Sequence, residues 1–178
     1  MKKNLIYIIA AVVVIAVLAL VILLNQNKTN LPAINSAEDL AALVDKVYEG
    51  QTNLLGSLMT QTVDVADKDF VNMVTGLEDG DKVEYVVASE PMMTSQAYSF
   101  VLVKVKDGVS ADAVAKEMFE KVNPSKWICV TAEKVYATSS GDVACLVMAS
   151  EELAKPVYEA FKTVAGNVGT EYAKTNQI

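Results

Sequence analysis

The 178-residue chain has no histidine and no arginine; all 15 of its basic residues are lysine. Histidine is the commonest general base and metal ligand at neutral pH, and arginine is the usual fork for carboxylate and phosphate. Without them, nucleophilic or acid–base catalysis would have to come from a serine–lysine pair or from paired carboxylates. The sequence carries no motif for either, so no catalytic residue is assigned. Only two cysteines are present, Cys129 and Cys145. Two thiolates with no imidazole make a zinc site unsupportable, and no glycine-rich loop suits a phosphate, so no metal or cofactor is expected. Positive charge is also scarce. The 15 lysines face 22 carboxylates for a net −7, and setting aside Lys2 and Lys3 leaves 13 against 22, or −9. Such a surface repels nucleic acid and anionic headgroups, which excludes nucleic acid as a partner.

Charge is missing altogether from one long stretch. Leu5 to Leu24 is a run of 20 residues without Gly, Pro or a charged side chain. As a helix it would be about 30 Å long, the thickness of a bilayer's hydrocarbon core. A cleaved secretory signal has a shorter apolar core and a small-x-small site, and "LVILLNQN" offers none. A lipid-attachment signal needs a cysteine just after the run, and the first is Cys129. Residues 1–24 therefore read as a retained transmembrane signal-anchor. Lys2 and Lys3 precede it and only Lys28 follows closely, which places the N-terminus in the cytoplasm and the rest outside a cell membrane crossed once.

Residues 25–35 form a polar linker, and 36–178 are long enough for one domain. "SAEDLAALVDKVYEG" opens with Ser36 as N-cap and places Leu40, Leu43, Val44, Val47 and Tyr48 on one helical face, with Gly50 as the stop. "QTNLLGSLMTQTVDV" suits a loop or a short extended segment. "DKDFVNMVTG" reads as a short helix with a Phe70, Met73, Val74 and Leu77 stripe. From Lys82 the pattern turns to strands, "KVEYVVASE" and "YSFVLVKVK", followed by a helix capped by Ser110 and stopped by Pro124. The order then recurs: "KWICVTAEKVYAT", the turn "SSGD", "VACLVMAS", and a helix opening at Pro156.

The two stretches align at an offset of 44 in the strands and 42 in the helices, so 82–122 and 126–164 form a pseudo-repeat of β-β-α units. The expected fold is α+β: a two-layer sandwich with a four-stranded, mainly antiparallel sheet and the helices on one face. A helical lead-in and the transmembrane helix precede it. In that arrangement Val114 and Met118 share a core with Val157 and Phe161.

The stretch from Asp67 to Val164 also resembles a known family, on its "VEYVV" strand, the "EPMM" that follows, and "LVKVKDG" leading into a helix. This is the domain-of-unknown-function family 4358, found in envelope proteins of clostridia-like Gram-positive bacteria. Members often carry a lipoprotein cysteine after the signal, which this chain lacks. The resemblance implies an envelope location and an α/β fold, and no particular chemistry.

Few stretches invite a functional reading. The cysteines fall in the second unit's strands, and a turn at Ser140–Gly141 sets Cys145 opposite Tyr136, away from Cys129, which favours buried free thiols over a disulfide. The acidic stretches "DVADKD" and "EDGD" lack calcium-loop spacing and read as helix-start carboxylates and an exposed turn. "EPMMTSQAY" is the unusual loop. Met92 and Met93 suit an adaptable partner surface; the plainer alternative turns one methionine inward and makes Pro91 a bulge. Trp127, the only tryptophan, suits a core anchor at a strand start. Pro91, Met92, Met93 and Trp127 are thus the candidate partner surface. The expected function is a membrane-anchored extracytoplasmic binding or accessory module of the cell envelope, its partner another envelope protein or a wall component. The alternative is a cell-wall-directed hydrolase or transferase using Ser/Lys or paired carboxylates.

Overall fold

A computed structural model of the chain describes residues 29–52, 54–93 and 95–176. The expected transmembrane helix and residues 25–28 of the linker lie outside the described residues, while residues 29–35 are no free spacer: Ile34 is buried in the core and Leu31 packs against it. Among the described residues no helix is long and apolar enough to cross a membrane.

In chain order the elements are α1 (Ala37–Tyr48), β1 (Leu58–Val63), α2 (Lys68–Thr75), β2 (Val83–Pro91), β3 (Ser99–Val105), α3 (Ala111–Lys121), β4 (Lys134–Ser140), β5 (Val143–Ala149), α4 (Glu151–Ala165) and β6 (Tyr172–Thr175). The helix starts follow side-chain chemistry. Asp39 N–H donates to Ser36 Oγ at 3.1 Å, while Asp39 Oδ2 reaches back to accept from Asn35 N at 2.9 Å. Asp67 and Ser110 cap α2 and α3 in the same way. Helix α4 starts at Glu151, five residues before Pro156, so the proline sits inside it and not at its first position. Its missing N–H forfeits the bond to Glu152 O, since it lies past the first four positions, whose N–H groups have no partner within the helix.

The fold is α+β with an antiparallel sheet, but the sheet has six strands, ordered β1-β2-β3-β5-β4-β6, where four were expected. The ambiguous 51–65 stretch supplies β1, and the C-terminal "YAKT" supplies β6. Residues 127–133 are loop, so the fourth strand is shorter than "KWICVTAEKVYAT" suggests. The turn also falls later, at Gly141–Asp142, so Cys145 faces Thr138 and Tyr136 faces Val147.

The helices do not share one face. Val114 and Met118 of α3 pack with Val71 and Val74 of α2 against one side of the sheet. Val157 and Phe161 of α4 pack with Leu40, Leu43 and Val44 of α1 against the other. The architecture is three layers, not two, and the expected shared core does not exist. Topology explains the correction. The antiparallel pairings make β3 parallel to β4 across β5, and β5 parallel to β6 across β4. Both helical crossovers therefore step the same way across the sheet from strands that run oppositely. Two crossovers of the same hand must then cover opposite faces, and one hand is overwhelmingly preferred.

Burial in the two stretches follows corresponding positions. β3 and β5 match at the expected offset of 44, Ser99–Val105 against Val143–Ala149. Val101, Val103 and Val105 face α3, and their counterparts Cys145, Val147 and Ala149 face α4. In the helices the buried positions correspond at 43, not 42: Ala111, Val114, Ala115, Met118 and Val122 against Ala154, Val157, Tyr158, Phe161 and Ala165. In α2 the buried positions are Val71, Val74 and Thr75, with Met73 outward. Gly76 closes α2 at φ +79°, and a Cβ there would lie 2.4 Å from Val122 N. Only glycine lets the α2 end approach α3 so closely.

Candidate functional site

The antiparallel order gives the sheet two distinct ends. One carries the β4–β5 turn. There the first described residues dock, Asn30 N–H donating to Ala165 O at 2.8 Å and Ser140 Oγ lying 2.7 Å from Thr29 Oγ1. The other end carries the loop between β2 and β3, the 123–133 loop, the start of α4 and residues 54–57 leading into β1. The candidate partner residues all lie at this second end.

Met92 and Met93 are 71% and 58% exposed, and Ile128 on the neighbouring loop is 67% exposed. Neither methionine turns inward, against the plainer alternative. Pro91 marks no bulge either: it ends β2, paired with Leu58, and the sheet's irregularity lies at Val83/Tyr85. At the same end opens a cleft of about 310 Å³, lined by Leu55, Ala97, Val130 and Leu153 together with the polar Gln96, Thr131, Glu133 and Ser150. Met92 N–H donates to Ser57 O at 3.1 Å, tying the methionine loop to the segment that brings Leu55 into the cleft.

Trp127 is not a strand start; it is a half-buried loop residue against the α2/α3-side core. The Lys126 ammonium lies 5.3 Å from its ring centroid. That ammonium is the centre of a polar cluster absent from the sequence reading. Lys126 is 5% exposed at its side chain and donates to Glu90 Oε1 at 2.5 Å. Ser99 Oγ donates to the same oxygen at 2.6 Å and lies 3.3 Å from Lys126 Nζ. Burial pushes the Lys126 ammonium below its ordinary range, and the Glu90 carboxylate only partly offsets that. Glu90 and Ser99 are cross-strand neighbours on β2 and β3, but Lys126 is 36 residues from Glu90. No local pattern could have joined them. The one usable signal was a lysine beside the only tryptophan.

A serine and a lysine therefore do converge with a shifted pKa, as the enzymatic alternative requires. The pair lies away from the cleft. Ser99 is fully buried, and neither it nor Lys126 lines the cleft. Lys126 is paired to the Glu90 carboxylate. The cluster acts as a latch holding the 123–133 loop onto the sheet end. Ala132 N–H to Pro124 O at 2.8 Å and Ser125 Oγ to Thr131 Oγ1 at 2.9 Å close the loop on itself.

The remaining candidates disperse. Cys129 lies exposed at the loop tip with φ +60°, and Cys145 is buried in β5, its thiol raised well above its ordinary value by burial; neither is bonded. Cys129 is thus neither buried nor in a strand. The carboxylates of the acidic stretches cap turns: Asp64 accepts from Ala66 N at 2.9 Å and Asp79 from Asp81 N at 3.0 Å. Among the described residues no three His, Cys, Asp or Glu side chains gather as a metal site. A larger cleft of about 880 Å³ at the β4–β5 turn end is polar, and its groups engage one another. Asp112 there accepts from Thr170 N at 2.8 Å, Thr170 Oγ1 at 3.1 Å and Ser139 Oγ at 3.4 Å. Comparisons with known protein families, curated proteins and solved structures return no match.

Proposed function

We propose that the chain is a binding or accessory module of the cell envelope, held to the membrane by its N-terminal apolar run with the domain outside. The observation that carries the reading is the apolar end of the sheet. Met92, Met93 and Ile128 stand exposed at the sheet end that also carries the cleft, on loops braced by the Lys126–Glu90 pair. Methionine adapts its shape to a partner, and an exposed apolar cluster beside a cleft marks a contact surface. This end also lies across the sheet from Thr29, so an anchor preceding Thr29 leaves it pointing away from the membrane. The resemblance to family 4358 supports the same location. The partner is another envelope protein or a wall component.

The test is partner capture by full-length chain. Met92→Ser with Met93→Ser weakens capture while circular dichroism stays unchanged; unchanged capture removes this surface. The enzymatic reading draws on the Ser99–Lys126 contact alone, and turnover of a wall-derived substrate lost in Ser99→Ala would reinstate it.

A further inference from the structure

The sheet ends in two unlike edges. β6 has four residues and carries Lys174, which donates to Phe119 O at 2.6 Å. A short, lysine-bearing edge is protected against pairing with other chains. β1 is six residues, "LMTQTV", with no charge, proline or glycine, and among the described residues it pairs only with β2. Its outer row of N–H and C=O groups is an open template for another strand.

The chain flanking β1 is charged on one side and uncharged on the other. Beyond Val63, residues 64–82 hold six carboxylates (Asp64, Asp67, Asp69, Glu78, Asp79 and Asp81) against Lys68 and Lys82. Lys82 is already paired with Glu117 and Glu78 with Lys121, which leaves five carboxylates against Lys68. Before Leu58 the chain is uncharged through Leu54, Leu55, Gly56 and Ser57, and Leu55 lines the cleft.

We infer that β1 is a docking edge for an extended segment of a partner protein, bound antiparallel, with basic residues at the segment's N-terminal end. Every strand pair in the sheet is antiparallel, and that pairing is the more stable. β1 runs from the apolar end toward the acidic end, so an antiparallel partner begins at the carboxylates and finishes beside the cleft. Lysines there complement the charge; alternating residues follow the edge; an apolar C-terminal residue meets Leu55. A second copy fits less well. Two β1 edges paired antiparallel send their Thr29 ends in opposite directions, which chains held by one membrane cannot do. This inference rests on the binding-module reading and assigns the chemistry of its partner.

The test is hydrogen–deuterium exchange of the full chain in detergent micelles, with the synthetic peptide Lys-Lys-Thr-Val-Thr-Val-Thr-Leu as probe. The peptide slows exchange across residues 58–63 several-fold. The same peptide with glutamates for lysines, or proline for its first valine, does not. Thr60→Lys with Thr62→Lys abolishes the protection while circular dichroism is kept. Absent protection at β1, or equal protection by the glutamate peptide, overturns the inference. Protection confined to residues 92–97 and 128–131 overturns it too, and leaves the cleft reading standing. Protection of β1 that grows with protein concentration alone assigns the edge to a second copy and overturns it likewise.

Discussion

Lys126 and Glu90 meet at 2.5 Å at the end of the sheet, on side chains 5% and 17% exposed, and Ser99 Oγ completes the contact. Loss of one partner leaves the other charge buried and unpaired, which costs about 3–5 kcal/mol. Glu90→Gln is therefore strongly destabilising in urea titration. Lys126→Met with Glu90→Leu recovers most of the loss, because an apolar pair leaves no charge behind. The pH dependence has a definite sign. Lys126 titrates lower in the fold than in the unfolded chain, so between those two values the unfolded chain holds more protons. Stability rises with pH across that window, and Lys126→Met removes this contribution to the rise.

The opposed helices make a second expectation. Met118 and Phe161 are both fully buried, yet on opposite sides of the sheet. Met118→Ala costs about 2–5 kcal/mol and Phe161→Ala about 3–5. Residues with no shared partners add to within about 0.5 kcal/mol, so the double variant loses the sum. A coupling energy well above that in denaturant unfolding contradicts the three-layer arrangement.

The helix positions were legible because capping and periodicity are local. Ser36 and Ser110 cap where expected, and Leu40, Leu43, Val44 and Val47 are the buried face of α1. The layer count is not legible in β3, where "SFVLVKV" carries Lys104 among its apolar residues. Phe100 and Leu102 pack under α1 and α4, and Lys104 is a buried cation 2.7 Å from Asp142. "VACLVMA" held the better signal, a continuous apolar run that needs cover on both faces. The edges were missed for the opposite reason. β1 and β6 have burial on one side at most, so tertiary pairing and not pattern makes them strands. At the candidate site the exposed methionines were legible, while the Lys126–Glu90 latch was not, since chain folding alone joins them.

Alkali probes the other layer. Tyr48 and Tyr98 hydroxyls lie 2.9 Å apart beneath α1; burial raises Tyr48 to about 12 and Tyr98 further. Above the ordinary tyrosine value the unfolded chain has lost protons that the fold retains. Stability therefore falls as pH rises from about 10, by roughly 1.4 kcal/mol per unit for each such group. Tyr48→Phe with Tyr98→Phe flattens that fall in alkaline unfolding. An unchanged slope contradicts the buried pair.

The central claim is that an anchored domain presents its loop-bearing apolar end outside the cell. Cys129 sits exposed at that end and Cys145 is buried, so the chain carries its own reporter. Intact cells expressing the full chain are treated with a membrane-impermeant maleimide, and the purified protein is weighed by mass spectrometry. The account predicts one label per chain at Cys129, and a second at Cys145 only after denaturation. Labelling of Cys129 only after the cells are broken open would contradict it.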